Sequence, residues 1–507
     1  MNINNLPVEI LEQIFQLLPV DDLKCASAVC FTWSQVAFSW PCMQNVQLKV
    51  AVSSFDDGVV PEVLETTGRK FRHVCLRVDR PIIDQPHRIE LISEVLLKFG
   101  ESLESLRFIW DVDDEMFDLN SMLTVLRYVP GLRELTVEDF IDRRNELAAV
   151  LPAITVDSLA GLERVKLPHS LMDNEQFNLA ELAPNLLHLS AEFKGRYPWE
   201  AIWLLSGQLY SLSIRTETEN NFQPLWQIDP SSLRRLRLSR LCCDLGDIND
   251  VKLDDARCFF FQCTAITVLK LELHVSLAVI RVIAENCSLL KELLVYDVDD
   301  GWQLLVILQR LERLTSLTVA EASFEGADSD IYQIRLPNLV ELVLDAIYLE
   351  EPTKFFIVLD QIVPNLKFLQ VSNYNRFDSD SYNMDILKSL FRAKLQSLNS
   401  LTLCDYTCAF PSHLLNYLNL LPKLQELELA YCSLAPWSRS AIVPGIKKLI
   451  VDTPITNYQL RKLLNVFPLV ARIEVLQAED ISAYSLEELS RITSRCEFFI
   501  RESRSNE

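Results

Sequence analysis

A chain of 507 residues that is 49% hydrophobic has material for an extensive core, while its formal charge of −22 repels nucleic-acid phosphates and anionic lipid. Its 11 glycines leave little for phosphate-cradling loops, and neither GxGxxG nor GxxxxGK(S/T) occurs. Apolar runs are short, FFIVL at 355–359 among the longest, against the roughly 18 residues a membrane span requires.

The start MNINNLP has no basic-then-apolar leader, and RESRSNE at the end is polar, without a lipidation cysteine. The 13 cysteines are scattered, with no CxxC pair. They are read as reduced, buried thiols, which places the protein in cytosol or nucleus. Cys404 and Cys408 lack a nearby histidine, so no metal site is expected.

The first ~40 residues are helical in pattern. Leu6, Ile10, Leu11, Ile14, Phe15, Leu17 and Leu18 cover about half a helical wheel, and Glu9, Glu12, Gln13 and Gln16 fill the rest. A helix with one neighbour needs an apolar arc of only a little over ~100°, so this one can face two. Asn5 is the expected cap, with Pro7 in the first turn. Pro19 ends the helix, and Asp21 or Asp22 caps a second, which carries Leu23, Ala26 and Val29. A third carries Trp33 and Phe38, and Pro41 breaks it. So small a head needs support from the rest of the chain, from a partner, or from both. On pattern alone it is equally a cap for the repeats that follow.

Leu6-Pro7, Glu9-Ile10-Leu11, Leu18-Pro19, Asp22-Leu23, Val29-Cys30 and Trp33 stand in the order and spacing of an F-box, and the segment resembles that family. The resemblance implies a three-helix domain that docks on a Skp-family adaptor. Leu6, Pro7, Ile10, Leu11, Ile14, Phe15, Leu18, Leu23, Val29 and Trp33 are the implied apolar anchors, undivided between adaptor and array.

A second period then sets in. VQLKV at 46–50 starts a sheet, and FRHVCL at 71–76 is a loose copy of a unit that recurs from LESLRF at 103–108 to VARIEV at 470–475, at steps of 22 to 33 residues. Each L-x-L half alternates as a strand with one buried face. Helical segments lie between, and prolines such as Pro130, Pro184, Pro337, Pro364, Pro422 and Pro468 stop them just before the strands. The expected fold is α/β: a leucine-rich-repeat solenoid of roughly 16 repeats, a curved parallel sheet with outer helices, preceded by the three-helix head. The domains are 1–42, 43–500 and a polar tail at 501–507, with no further boundary.

The polar position after the strand, usually Asn or Cys, holds Cys432 but elsewhere Ala322, Ile347, Tyr406 or Pro454, so the repeats diverge. Loops at 53–62 and 373–383 are polar and expected to be mobile. The segment LEELSRITSRCEFFI is expected to close the array with a helix and a strand.

No catalytic constellation emerges. The six histidines form no HExxH or HxH group, and GxSxG is absent. Acidic pairs at 113–114, 254–255 and 299–300 are read as turn caps. One strand is distinctive: LRRLRLSR places Arg234, Arg235 and Arg237 at variable positions, with Arg240 just beyond. These arginines suit an acidic or phosphorylated partner, or else are neutralised by acidic neighbours such as Glu272 and Glu292.

The resemblance implies a non-catalytic substrate-recognition subunit of an SCF-type cullin-RING ubiquitin ligase. The head binds the adaptor, and through it cullin and RING subunits; the repeats bind a target protein. The alternative is a non-ligase scaffold or inhibitor whose helices only cap the array, and an enzyme hidden in the inserted loops ranks last. Cofactors, nucleic acid and membrane are not expected.

Overall fold

The computed structural model describes residues 3, 6–51, 53, 67–78, 86–110, 124–138, 159–168, 178–193, 199–216, 225–240, 253–326, 329–372, 380–393, 395–405, 416–432, 442–443, 445–476 and 496–500. They belong to two compact units: residues 1–233 with 240–243, and residues 234–239 with 244–507. The expected cap at Asn5, the 373–379 part of the second polar loop, the acidic pair at 113–114 and the tail at 501–507 lie outside the described residues.

The first unit opens with helices whose boundaries follow from proline chemistry. α1 (Val8–Phe15) and α2 (Val20–Ser27) begin immediately after Pro7 and Pro19. Each proline sits in extended backbone and offers its carbonyl to the first turn, Pro7 to Leu11 and Pro19 to Leu23. Pro7 thus stands at the cap instead of inside the first turn. Asp21 and Asp22 lie within the first turn of α2, beside the positive end of its dipole, instead of capping it. α3 (Phe31–Ala37) is capped by Cys30, whose Sγ accepts the Trp33 backbone N–H at 3.5 Å. Pro41, expected as a breaker, lies in the first turn of a fourth, single-turn helix, α4 (Trp40–Met43), where its missing N–H is not needed. The head therefore has four helices where the sequence predicts three.

Strands β1 (Gln47–Ala51), β2 (His73–Val78), β3 (Ser105–Trp110), β4 (Glu134–Glu138), β5 (Arg164–Leu167), β6 (His188–Phe193) and β7 (Ser211–Thr216) then stack in sequence order, all parallel. The second unit repeats the plan. It runs through β8 (Arg235–Arg240), β9 (Val268–His274), β10 (Glu292–Val298), β11 (Ser316–Phe324), β12 (Glu341–Asp345) and, past the two-residue β13 (Tyr348–Leu349), β14 (Phe368–Ser372). β13 pairs with the end of β11. β15 (Ser400–Cys404), β16 (Glu426–Ala430), β17 (Lys448–Asp452), β18 (Arg472–Val475) and β19 (Glu497–Ile500) complete it, again parallel and in order. Every sixfold motif from FRHVCL to VARIEV becomes a strand, with β1 and β19 added at the ends.

The strands form because leucine alternates with variable residues, and burial follows that alternation: Leu106, Leu135, Leu189 and Leu212 are buried, as are Leu236, Leu269, Leu342 and Leu401. Each fully buried leucine is worth about 1.5–3 kcal/mol relative to exposure. The intervening segments are helices such as Pro86–Phe99, Leu253–Gln262, Leu277–Asn286 and Pro352–Ile362, or 3-10 turns such as Asn416–Leu420, and bury one side. No described helix is long and apolar enough to cross a membrane.

Polar stitching between repeats is found before the strands as well as after them. Asn185, Gln208, Asn338 and Asn365 donate side-chain N–H groups to the carbonyls of Ala160, Pro184, Glu312 and Pro337, each in the preceding repeat. Where the position after the strand is apolar, as at Ala322 and Ile347, it is simply buried. Cys432 acts as the pattern predicts, its thiol directed at the Leu403 carbonyl at 3.2 Å.

Candidate functional site

The head is built around its own small core. Leu11, Phe15, Leu23, Ala26, Val36, Ala37 and Cys42 are buried together, with Leu6, Ile14, Leu18 and Trp33 packed half-buried against them. Phe15 meets Trp33 edge-on, with ring centroids 5.2 Å apart. The ten expected anchors therefore divide. Leu11, Phe15 and Leu23 are core and offer no surface to a partner. Leu6, Ile14, Leu18 and Trp33 seal that core. Pro7, Ile10 and Val29 are exposed.

Four further apolar side chains that were not among the expected anchors are also exposed: Val8, Leu17, Val20 and Phe31. Leu17 is 85% and Phe31 77% accessible. Of the 22 exposed large hydrophobic residues among those described, eight fall within residues 3–40. Scattered single exposures are ordinary, but this density within one small helical segment marks a surface that a partner can cover. The sequence signal was present in α1, whose apolar arc is too wide for a single neighbour; only packing separates the inner half from the outer.

The head also leans on the start of the array within its own unit. The Arg69 guanidinium lies 3.6 Å from the Phe38 ring centroid, and Arg72 lies over Trp40 at 5.0 Å while pairing with Glu104. Cation–π contacts of this kind are worth about 0.5–1 kcal/mol at exposed sites.

The two exposed sheet faces differ in how their polar groups are used. In the first unit, Glu138 on β4 accepts from Arg107 on β3 and from Lys166 on β5, the latter at 2.6 Å. Burial pushes the Glu138 carboxyl up, but the hydrogen bonds from Lys166 and Arg107 outweigh it, and the group sits below the ordinary carboxylate range. Beside this cluster a depression of about 240 Å³ opens across β4 to β7.

In the second unit, Arg237 pairs with Glu272 on β9 at 2.7 Å, so this member of the arginine strand is neutralised by the neighbour the sequence nominated. Arg235 is exposed and Arg234 half-buried. Farther along, Asp345, Asp405 and Glu428 are each pushed above the ordinary carboxylate range, in every case chiefly by burial. Thr402 donates to Glu428 at 3.2 Å, and Gln370 to the Ser372 hydroxyl at 3.3 Å. Burial likewise pushes the Cys404 thiol up to about 11, which leaves it unreactive at neutral pH. His274 pairs with Asp297 at 3.3 Å, but no nucleophile joins them into a catalytic set. Among the described residues, no group of three or more His, Cys, Asp or Glu side chains could hold a metal ion.

Comparison with known proteins agrees with the division into head and array. Residues 3–40 match the F-box-like family. Solved leucine-rich-repeat structures resemble the chain. A leucine-rich-repeat protein of Leptospira interrogans is 15% identical, covering 87% of this chain and 98% of that one, at a TM-score of 0.35. TLR13, from the crystal structure of the TLR13–ssRNA13 complex, is 13% identical over 93% of this chain and 76% of that one, at a TM-score of 0.37. No curated protein matches the sequence. An F-box-like head followed by leucine-rich-repeat strands is thus the organisation of this chain.

Proposed function

We propose, with an F-box-like head as the premise, that this chain is the substrate-recognition subunit of an SCF-type cullin-RING ubiquitin ligase acting in the cytosol or nucleus. The head docks on a Skp-family adaptor, and the sheet faces hold a target protein so that partner subunits can transfer ubiquitin to it. The chain itself supplies proximity, which raises effective concentration, and no bond-making group.

The observation that carries this reading is the two-sided head: a self-contained core, with Val8, Ile10, Leu17, Val20, Val29 and Phe31 turned outward. An apolar residue kept at such exposure is explained by a partner that desolvates it. The test is capture of a Skp-family adaptor by the full chain and by a Leu17→Asp/Phe31→Asp variant. Loss of capture with the head still folded supports docking; retained capture refutes it.

The packing of Arg69 on Phe38 and of Arg72 on Trp40 favours a second reading, in which the head only caps the array of a scaffold or inhibitor. That reading expects no adaptor binding by the wild-type chain.

A further inference from the structure

The depression on the sheet face of the first unit has the composition of an oxyanion site. Its rungs are set by register: Thr136, Lys166, Ser190 and Ser213 are successive partners across β4 to β7, and Arg164, His188 and Ser211 form the adjacent rung. Arg164 and Lys166 are exposed, and the four hydroxyl side chains are half-buried between them. Short serines beside long basic side chains are what make the hollow.

None of the four hydroxyls is hydrogen-bonded to another described residue, and no described carboxylate pairs with Arg164. The second unit differs, since Thr402 and Ser372 there are already engaged. Lys166 shares Glu138 with Arg107, so that trio retains one net positive charge. Glu134, which also lines the hollow, offsets one of the cations. Counting Arg164, the local balance is positive by one in a chain of net charge −22.

Resting on the proposed receptor function, we infer that this hollow receives a phosphorylated side chain of the target protein. A phosphate monoester carries about −1.5 to −2 charge and three acceptor oxygens. Arg164 presents a fork that bonds two of those oxygens in parallel, and Lys166 and Ser190 lie within one strand spacing, about 4.8 Å, of it or of each other. Ser211 and Ser213, one strand farther, remain for the peptide groups on either side. A carboxylate has only two oxygens and leaves more of these donors unused. About 240 Å³ is below the usual 300–1,000 Å³ of a small-molecule pocket, but it accommodates one side-chain head group presented on a peptide.

The experiment titrates the full chain with a capped Gly-phosphoserine-Gly peptide, following ³¹P line broadening. The same peptide with aspartate, and inorganic phosphate, compete for it. Arg164→Gln and Ser190→Ala/Ser213→Ala are each expected to weaken phosphopeptide binding by roughly tenfold, while Arg235→Gln leaves it unchanged and all variants keep the wild-type unfolding midpoint. The inference is overturned if the wild type does not bind the phosphopeptide. It is equally overturned if Arg164→Gln binds as well as wild type, or if the aspartyl peptide or inorganic phosphate competes on equal terms. Adaptor capture by the same preparations separates the two ideas. Capture without phosphopeptide binding sinks the pocket alone; phosphopeptide binding without capture sinks the ligase reading and leaves the pocket.

Discussion

Replacing Phe15 or Phe31 with alanine separates the two jobs of the head. Phe15 is 1% exposed and packs edge-on against Trp33. Phenylalanine-to-alanine changes in cores cost about 3–5 kcal/mol. The roughly 38 residues of the head, at about 0.05–0.15 kcal/mol each, carry roughly 2–6 kcal/mol of stability. Phe15→Ala therefore removes most or all of it, and the head melts while the strands remain. Phe31 is 77% exposed, so its loss changes stability by less than about 0.5 kcal/mol. If it is an anchor, truncation costs more than about 1.4 kcal/mol of adaptor binding, a factor of ten or more. Hydrogen exchange over residues 6–43, run beside adaptor titration, reads both quantities. Both variants are expected to lose adaptor affinity, but only Phe15→Ala should lose exchange protection. Full adaptor binding by a folded Phe31→Ala and by Leu17→Ala would refute the division into inner and outer faces.

Other expectations follow from single contacts. Gly100→Ala is expected to destabilise the first unit by about 1–3 kcal/mol in denaturant melts, because a Cβ there would lie 1.9 Å from the Tyr128 carbonyl oxygen, a backbone atom that cannot turn aside. Asn365→Ala removes the 2.8 Å stitch to the Pro337 carbonyl and should cost about 0.5–1.5 kcal/mol, measured in the same way. The carboxyls of Asp345, Asp405 and Glu428 are raised in the fold, so their ionisation opposes folding at neutral pH, and that penalty fades as pH falls through the raised pKa toward the ordinary value. A triple amide variant should therefore be more stable than wild type at pH 7, with the gap narrowing toward pH 4.5; a gap that widens on acidification would contradict the assignment. Glu138 has the opposite sign: its lowered pKa contributes stability above the ordinary carboxylate range, and that stability is lost as pH falls through the folded value. Glu138→Gln should accordingly lower the unfolding midpoint at pH 7 and matter least in acid.

The architecture was legible in the chain because its signals are local. An L-x-L alternation can bury only one face, and a motif recurring every 22 to 33 residues can bury those faces only by stacking, so parallel strands in sequence order follow from the period itself. The Leu-Pro to Trp spacing of the head is equally local. Pro41 was misjudged because proline breaks a helix or starts one according to where the preceding turn ends, and Cys30, placed to cap α3, completes that turn.

What the sequence by itself determined, then, is which residues are apolar and at what period they recur, and hence the head and the repeat strands. Tertiary structure alone decided which apolar residues look inward. Phe15 and Phe31 are the same residue type in the same short segment, yet one is closed into a core by Trp33 and the other is left in solvent. The same holds for charge. Arg237 and Arg164 are alike in sequence, but strand register sets Glu272 against the first and a rung of uncommitted hydroxyls beside the second. Burial and pairing depend on neighbours tens of residues away in the chain, and no local pattern encodes them.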